Sequence, residues 1–324
     1  MSWLVTGGAG YIGSHVVRAL QAAGIDPVVI DDLSSGIESF VPAGVPFVKA
    51  SILETDVVEH TLTEHGVVGV IHCAGYKYAG ESVKFPLVNY KANVDGTRSL
   101  LEAMENAGVR SLVFSSSAGV YGNTDSPVVT ESTSTTPESP YGESKLIGEW
   151  LIRDQVTATT MAGAPLAATS LRYFNVVGSG YADIYDASPH NLFPKVFFAI
   201  EAGKAPQING TDYPTPDGTC VRDYVHVSDL AAAHVVAAQR LDAGDTLERV
   251  YNLGSGSGTS VREIVDAMVA ATGTDKAPVE APRRPGDPAK IVADGTLAAR
   301  DLGWAMRHTV QQMVDSAWAS HPKA

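Results

Sequence analysis

Ser117, Tyr141 and Lys145 are the residues whose types and spacing suggest proton-transfer chemistry. Tyr141 and Lys145 stand four apart, so on a helix they share one face. Pro140 precedes them and suits the first turn of that helix. Residues 111–117 form a short apolar run that ends in Ser115, Ser116 and Ser117. Such a run reads as a buried strand that delivers hydroxyls at its carboxyl end. A phenol can act as acid or base, an ammonium beside it lowers its pKa, and a serine hydroxyl can relay the proton. A free tyrosine has a pKa of about 10, so a phenolate near neutrality needs about 4 kcal/mol of favourable electrostatics. One lysine in a dry site, helped by a second cation, could supply that. The same Tyr-x-x-x-Lys spacing also fits an exposed helix pair, and the rest of the chain decides between the two.

The deciding stretch lies at the amino end. Residues 2–6 read as a strand, Gly7-Gly8-Ala9-Gly10-Tyr11-Ile12-Gly13 follows, and residues 14–23 have helical periodicity. A second strand at 27–30 ends on Asp31, 18 residues past Gly13. Each glycine has a mechanical reason: Gly7 for a tight turn, Gly10 for backbone approach to a pyrophosphate, Gly13 for close helix–strand packing. The helix N-terminus then offers free N–H groups and a positive dipole end to the phosphates. Asp31 can accept hydrogen bonds from an adenosine ribose and would repel a 2′-phosphate, which favours NAD over NADP.

Composition narrows the class. The 324 residues are 44% hydrophobic and 18% charged, which suits one large or two moderate globular domains. A net charge of −13 leaves no basic surplus for a nucleic-acid partner. No apolar run is long enough to span a bilayer, and the first strand follows Met1 directly, with no basic flank of the kind a signal peptide carries. The two cysteines, Cys73 and Cys220, have no paired spacing. They imply neither a metal site nor a disulfide framework, and they fit a reducing cytoplasm.

Strand–helix alternation continues along the chain. Residues 67–72 read as a strand running into Cys73-Ala74-Gly75, 87–107 as a long helix, and 166–175 as a further strand. This pattern makes a Rossmann-type, doubly wound parallel sheet of α/β class, with ligands outside the strands' carboxyl ends. Residues 7–13, Asp31, 73–75, 115–117 and 173–175 all fall there, which turns the Tyr141–Lys145 pair into a candidate catalytic site. After Asn175 the chain changes character. Residues 178–190 are loop-like, 192–202 helical, and 203–218 rich in Pro and Gly. A strand is expected at 220–226, a helix capped by Ser228 at 228–240, and a strand at 250–253. Ser260 and Glu263 form a capping box. Residues 281–288 form a rigid basic loop, and two short helices end the chain. The expected division is an NAD-binding domain over 1–175, to which 226–253 return, and a smaller C-terminal α/β substrate-binding cap mainly over 176–324.

Taken together, Thr6-Gly-Gly-Ala-Gly-Tyr-Ile-Gly-Ser-His15, Phe114-Ser-Ser-Ser117, Tyr141-x-x-x-Lys145, Arg172-Tyr-Phe-Asn175 and Val221-Arg-Asp-Tyr-Val-His-Val227 resemble the extended short-chain dehydrogenase/reductase superfamily. Within it they are similar to the UDP-glucose (UDP-galactose) 4-epimerases. The resemblance implies tightly held NAD, a UDP-sugar substrate and redox-neutral inversion at sugar C4 through a 4-keto intermediate. It gives Tyr141, Ser117 and Lys145 the catalytic roles. The cofactor would be lined by Gly7, Gly10, Tyr11, Ile12 and Gly13, by Asp31, Asp32 and Leu33, and by Ser51 and Ile52. Cys73, Ala74, Gly75, Lys77, Asn93, Ser115, Tyr141, Lys145 and Tyr173 complete that set. UDP and sugar would meet Ser117, Tyr141, Asn175, Asn191, Leu192, Ile208, Arg222, Tyr224, Arg284 and Asp287. Arginines at 222 and 284 suit a diphosphate through forked hydrogen bonds. The resemblance also implies a homodimer, built on a helical bundle from 87–107 and 141–155 of each subunit.

Four positions depart from the family pattern. Ser51 stands where an aspartate usually meets adenine, and Val176 replaces a proline. Gly119 replaces a threonine beside the catalytic serine, and Ile291 falls where side-chain bulk varies with sugar size. Gly119 and Ile291 leave N-acetylated sugars open, alongside uronates and pentoses. A nucleotide-sugar dehydratase would need an acid and a carboxylate where Ala118 and Gly119 stand. An NAD-sensing binding protein could dispense with the serine, tyrosine and lysine, and all three are present.

Overall fold

The computed structural model describes residues 1–124, 126–283 and 288–322. Its first half runs β1 (Ser2–Thr6), α1 (Tyr11–Ala22), β2 (Asp26–Asp31), β3 (Phe47–Lys49), α2 (Thr55–Glu64), β4 (Val67–His72), α3 (Ala79–Lys84), α4 (Pro86–Tyr90), α5 (Gly96–Ala107), β5 (Ser111–Ser117), β6 (Val128–Val129), α6 (Pro140–Met161) and β7 (Ala167–Tyr173). The remainder runs β8 (Asn175–Val177), α7 (Leu192–Glu201), β9 (Gln207–Asn209), β10 (Val221–Arg222), β11 (Tyr224–His226), α8 (Val227–Asp242), β12 (Val250–Leu253), β13 (Thr259–Ser260), α9 (Val261–Thr272), β14 (Val279–Ala281), β15 (Lys290–Ala293), α10 (Thr296–Leu302) and α11 (Val310–Ser320).

Seven strands form one parallel sheet in the order β12-β7-β5-β4-β1-β2-β3. The strands are apolar on both faces because helices cover both. On one face Val16, Val17 and Leu20 of α1 pack with Leu230 and Ala237 of α8. On the other, Leu62 of α2, Leu100 and Met104 of α5 and Ile152 of α6 form a second layer. Strand order reverses between β1 and β4, the switch point at which such sheets bind ligands. The C-terminal segments have a cluster of their own, in which Phe193, Phe197, Ile208, Tyr224, Ile264, Met268 and Met313 are buried together.

Four local features differ from the sequence expectation, each for a physical reason. The helix expected over 87–107 begins at Pro86 and passes through a π turn at Lys91–Asp95, which brings Asn93 inward. The strand expected over 220–226 breaks at Asp223, and its halves join different sheets. The buried Asp223 carboxylate accepts backbone N–H groups from Ser255, Gly256 and Ala293 at 2.6–3.2 Å, so the chain turns to seat it. The cap of α8 is His226, whose Nδ1 accepts from the Ser228 N–H at 3.1 Å, not the Ser228 hydroxyl. Residues 166–175 end as a strand at Tyr173, and Asn175 opens β8. The Ser260–Glu263 capping box forms as expected.

Candidate active site

Helix α6 opens with Ser139, whose hydroxyl accepts from the Gly142 N–H, and Pro140 takes its first position. That fixed start sets Tyr141 and Lys145 on the buried face toward β5. The Lys145 Nζ donates to the Ser115 carbonyl at 2.9 Å and lies 5.0 Å from the Phe114 ring centre. Burial pushes its pKa down to about 8, while Cys73 and Glu149 act the other way. Burial likewise raises the Tyr141 phenol above its ordinary value, and a hydrogen bond with Ser117 only partly opposes this. Desolvation therefore outweighs the Ser117 hydrogen bond at this phenol. The Ser117 hydroxyl also accepts from the Gly119 N–H at 3.1 Å. A Cβ on Gly119 would lie 3.3 Å from the Ser117 Oγ and 3.6 Å from Tyr141 Cε1, so the missing side chain leaves space beside the pair.

These residues face a cavity of about 920 Å³ that runs from the β1–α1 turn to Arg222 and Tyr224. At its first end α1 has no side-chain cap, so its leading N–H groups are free for an anion. Gly7 has φ +69, and a Cβ there would lie 2.8 Å from the Ala74 backbone across the switch point. A Cβ on Gly13 would lie 2.1 Å from the Gly7 carbonyl oxygen. Asp31 is anchored by N–H groups of Ala9 and Leu33 at 3.0 and 2.8 Å. Burial raises its pKa, and those two donors oppose the shift. An uncapped helix end, a glycine turn and an anchored carboxylate are the donor and acceptor set that a dinucleotide needs.

Of the expected cofactor residues, Gly7, Gly10, Tyr11, Ile12, Gly13, Asp31, Asp32, Ser51, Ile52, Cys73, Ala74, Gly75, Lys77, Tyr141, Lys145 and Tyr173 line the cavity. Leu33, Asn93 and Ser115 do not line it, and Asn93 and Ser115 are buried. The Asn93 side chain bonds both the Tyr76 N–H and carbonyl, at 2.6 and 3.0 Å, and so holds the Gly75 turn. Ser115 is a buried hub, 2.8 Å from His234 Nε2 and 3.2 Å from Cys73 Sγ. Of the expected substrate residues, Ser117, Tyr141, Asn175, Asn191, Leu192, Arg222 and Tyr224 line the cavity. Ile208 is buried in the C-terminal cluster, and its neighbour Asn209 faces the cavity instead. Arg284 and Asp287 lie outside the described residues. The Ser51 hydroxyl accepts from the Leu53 N–H at 3.3 Å and lies at the cavity wall. Val176 also lines it, while Ile291 packs against the cluster of Val120, Tyr121 and Phe174.

Sequence reasoning missed the residues that 178–190 add to the wall, namely Tyr185, Asp186 and His190. This loop is tied to α1. The Tyr11 hydroxyl donates to the Gly178 carbonyl at 2.5 Å, the Gly180 N–H donates to His15 Nε2 at 3.0 Å, and Arg18 pairs with Asp183 through two bonds. Burial lowers the Lys77 pKa and raises that of Asp186, and each charge partly offsets the other's shift. The tyrosines and acids of this stretch were the available signal. For His321 and Ser320, which also line the cavity, the sequence held none.

Comparison with known proteins agrees with this geometry. The family model described as the NAD dependent epimerase/dehydratase family matches residues 3–254. The chain is 42% identical over 328 residues to a UDP-glucose 4-epimerase of Streptomyces lividans, covering 99% of this chain and 97% of the relative. It is 41% identical over 331 residues to the Bacillus subtilis UDP-glucose 4-epimerase, covering 98% and 96%. The solved structure of UDP-glucose 4-epimerase from Brucella ovis in complex with NAD superposes with a TM-score of 0.92 at 38% identity, covering 98% of this chain and 97% of that one. That of UDP-glucose 4-epimerase from Bifidobacterium longum in complex with NAD+ and UDP gives 0.88 at 36%, covering 99% and 98%.

Proposed function

The chain belongs to the NAD dependent epimerase/dehydratase family, and from that premise we propose that it is an NAD-dependent UDP-glucose/UDP-galactose 4-epimerase. The observation that carries this reading is a single cavity with the glycine turn and Asp31 at one end, Arg222 and Tyr224 at the other, and Ser117, Tyr141 and Lys145 on its wall. The α1 N-terminus and Asp31 hold NAD, which when bound supplies the hydride acceptor and donor that keep the inversion redox-neutral. Tyr141, as phenolate, takes the proton of the sugar 4-hydroxyl and returns it to the 4-oxygen after the 4-ketose has turned over. Ser117, in hydrogen-bond contact with that phenol, shares and relays the proton. Lys145 places its ammonium beside the same face and favours the ionised phenol. Arg222 supplies charge-assisted donors for the diphosphate, with Asn175, Asn191 and Tyr224 beside it. Arg284 and Asp287 extend this diphosphate and sugar set by their positions in the family motif.

In the division of labour, 1–175 with 226–253 bind NAD, and 176–324 mainly bind substrate. The pairing of β12 with β7 and the packing of α8 on the main sheet support this. The protein acts as a cytoplasmic homodimer. Among the described residues no helix is long and apolar enough to cross a membrane, and Val83, Phe85, Leu87, Val88 and Trp150 are exposed around α3, α4 and α6. A second copy covering this face would bury them. Size-exclusion chromatography with light scattering reports a dimer for the native chain and a monomer for Leu87→Asp. A native monomer would remove the assembly.

Turnover of UDP-galactose against UDP-N-acetylgalactosamine, without added NAD, tests the substrate. Conversion of UDP-galactose supports the reading. Conversion of the N-acetylated sugar alone overturns it and points to the space beside Gly119.

A further inference from the structure

Beside the catalytic residues lies a buried polar layer of Ser116, Tyr121, Glu149, Arg172 and Asn252. The Ser116 hydroxyl donates to Glu149 Oε1 at 2.5 Å. Arg172 donates to both Glu149 oxygens, from Nε at 2.8 Å and from Nη2 at 2.5 Å. Its Nη1 reaches the Tyr121 hydroxyl at 3.0 Å, and that hydroxyl donates to Asn252 Oδ1 at 2.7 Å. The layer thus ties α6 to β5, β7 and β12. Glu149 is one helical turn beyond Lys145, Ser116 precedes Ser117, and Arg172 precedes the cavity residue Tyr173. Glu149 and Arg172 are 9% and 5% exposed, so the pair is shielded from solvent.

We propose that Glu149, clamped by Arg172 and Ser116, is a positioning residue for the epimerisation chemistry: it fixes the register of α6 against the sheet and keeps the Lys145 ammonium charged beside Tyr141. The proposal rests on the epimerase reading above.

The groups around Lys145 explain why this carboxylate matters. His72, at the end of β4, and Cys73, just beyond it, act on Lys145, as does Glu149 of the same helix. Tyr141 and Tyr173 line the same cavity, Arg172 and, through it, Tyr121 are bonded to Glu149, and His234 of α8 lies behind Ser115. Burial lowers His72 and His234 to about 3 and 4 and raises Cys73 to about 11. It raises Tyr121, Tyr141 and Tyr173 as well. At neutral pH these groups, Tyr141 of the reacting pair aside, carry no charge. The charges left in the shell are Lys145 and the paired Glu149 and Arg172. Of the two groups that favour the ammonium, Cys73 and Glu149, Glu149 is the carboxylate.

Wild type, Glu149→Gln and Glu149→Asp are compared through the pH dependence of kcat/KM for UDP-galactose, with NAD content and Tm recorded. The clamp predicts that Glu149→Gln moves the alkaline limb down by about one pH unit. Glu149→Asp, which keeps the charge, stays near wild type in that limb although both variants lose Tm. A limb unmoved in Glu149→Gln, or the same change in both variants, overturns the proposal. Should Glu149→Gln fail to fold, the double variant Glu149→Gln/Arg172→Gln is compared with Arg172→Gln, from which it differs only in the Glu149 carboxylate. The clamp predicts a lower alkaline limb in the double variant, and an equal limb overturns the proposal. Tyrosinate absorbance, taken as the difference from each form's Tyr141→Phe counterpart, reads the pair without turnover. In Glu149→Gln, Tyr141 then ionises at higher pH than in wild type, and an equal value contradicts the clamp. A wild type that turns over no UDP-sugar but shows this shift sinks the functional reading and leaves the clamp standing.

Discussion

Tyr141 and Lys145 are held apart from their ordinary protonation behaviour by the same cause, burial. The phenol is harder to ionise and the ammonium easier to lose, with Lys145 near 8. The pair works only while Lys145 is protonated, so kcat/KM falls as pH rises through about 8, and a pH–rate profile measures this directly. A profile flat from neutrality to pH 10 would detach Lys145 from the chemistry. Tyr141→Phe keeps the ring and its packing but removes the proton carrier. It lowers kcat by about 10²–10⁴, with NAD content unchanged after gel filtration. Loss of NAD together with activity would make Tyr141 a cofactor-binding residue first.

At the scale of elements, the β1–α1 turn and the loop over 178–190 enclose one end of the cavity. Gly13 packs so closely on Gly7 that any side chain must displace the backbone. Gly13→Ala therefore yields protein without bound NAD, read from its absorbance ratio, and a fully loaded Gly13→Ala would contradict the turn geometry. The Arg18–Asp183 pair pins the loop at its solvent side, where Asp183 is 59% exposed. A pair of that exposure contributes up to about 1 kcal/mol, so Arg18→Gln speeds NAD loss by about fivefold at most. These elements also separate what the sequence could say from what it could not. The glycine turn and the Tyr141–Lys145 face were legible because each is set within a few residues. The break at Asp223 was not, because its partners lie 32 to 70 residues away. Asp186 and His321 reach the cavity by tertiary packing, which no local spacing encodes, and Ile208 reads as a pocket residue until the C-terminal cluster claims its side chain.

Across the whole molecule, His15, His72, His226 and His234 are buried with pKa values lowered to between about 3 and 4. Unfolded, each titrates near 6.5, so between 6.5 and about 4 the unfolded chain binds more protons than the native one. Stability is then fully present above 6.5 and falls as pH drops toward 4, by at most about 1.4 kcal/mol per unit for each histidine. Asp31 and Asp186, raised by burial, act in the opposite sense. Denaturant titrations at pH 7.5 and 5.5 should show the midpoint falling with pH, and an equal midpoint would mean these histidines are protonated in place.

The measurement that meets the central claim most directly follows the C4 hydrogen. The protein is incubated with UDP-galactose in D2O without added NAD, and the UDP-sugars are examined by proton NMR. Internal, redox-neutral inversion predicts UDP-glucose with its C4 hydrogen retained from the substrate. Deuterium at C4, or no product from protein that carries NAD, would contradict the account.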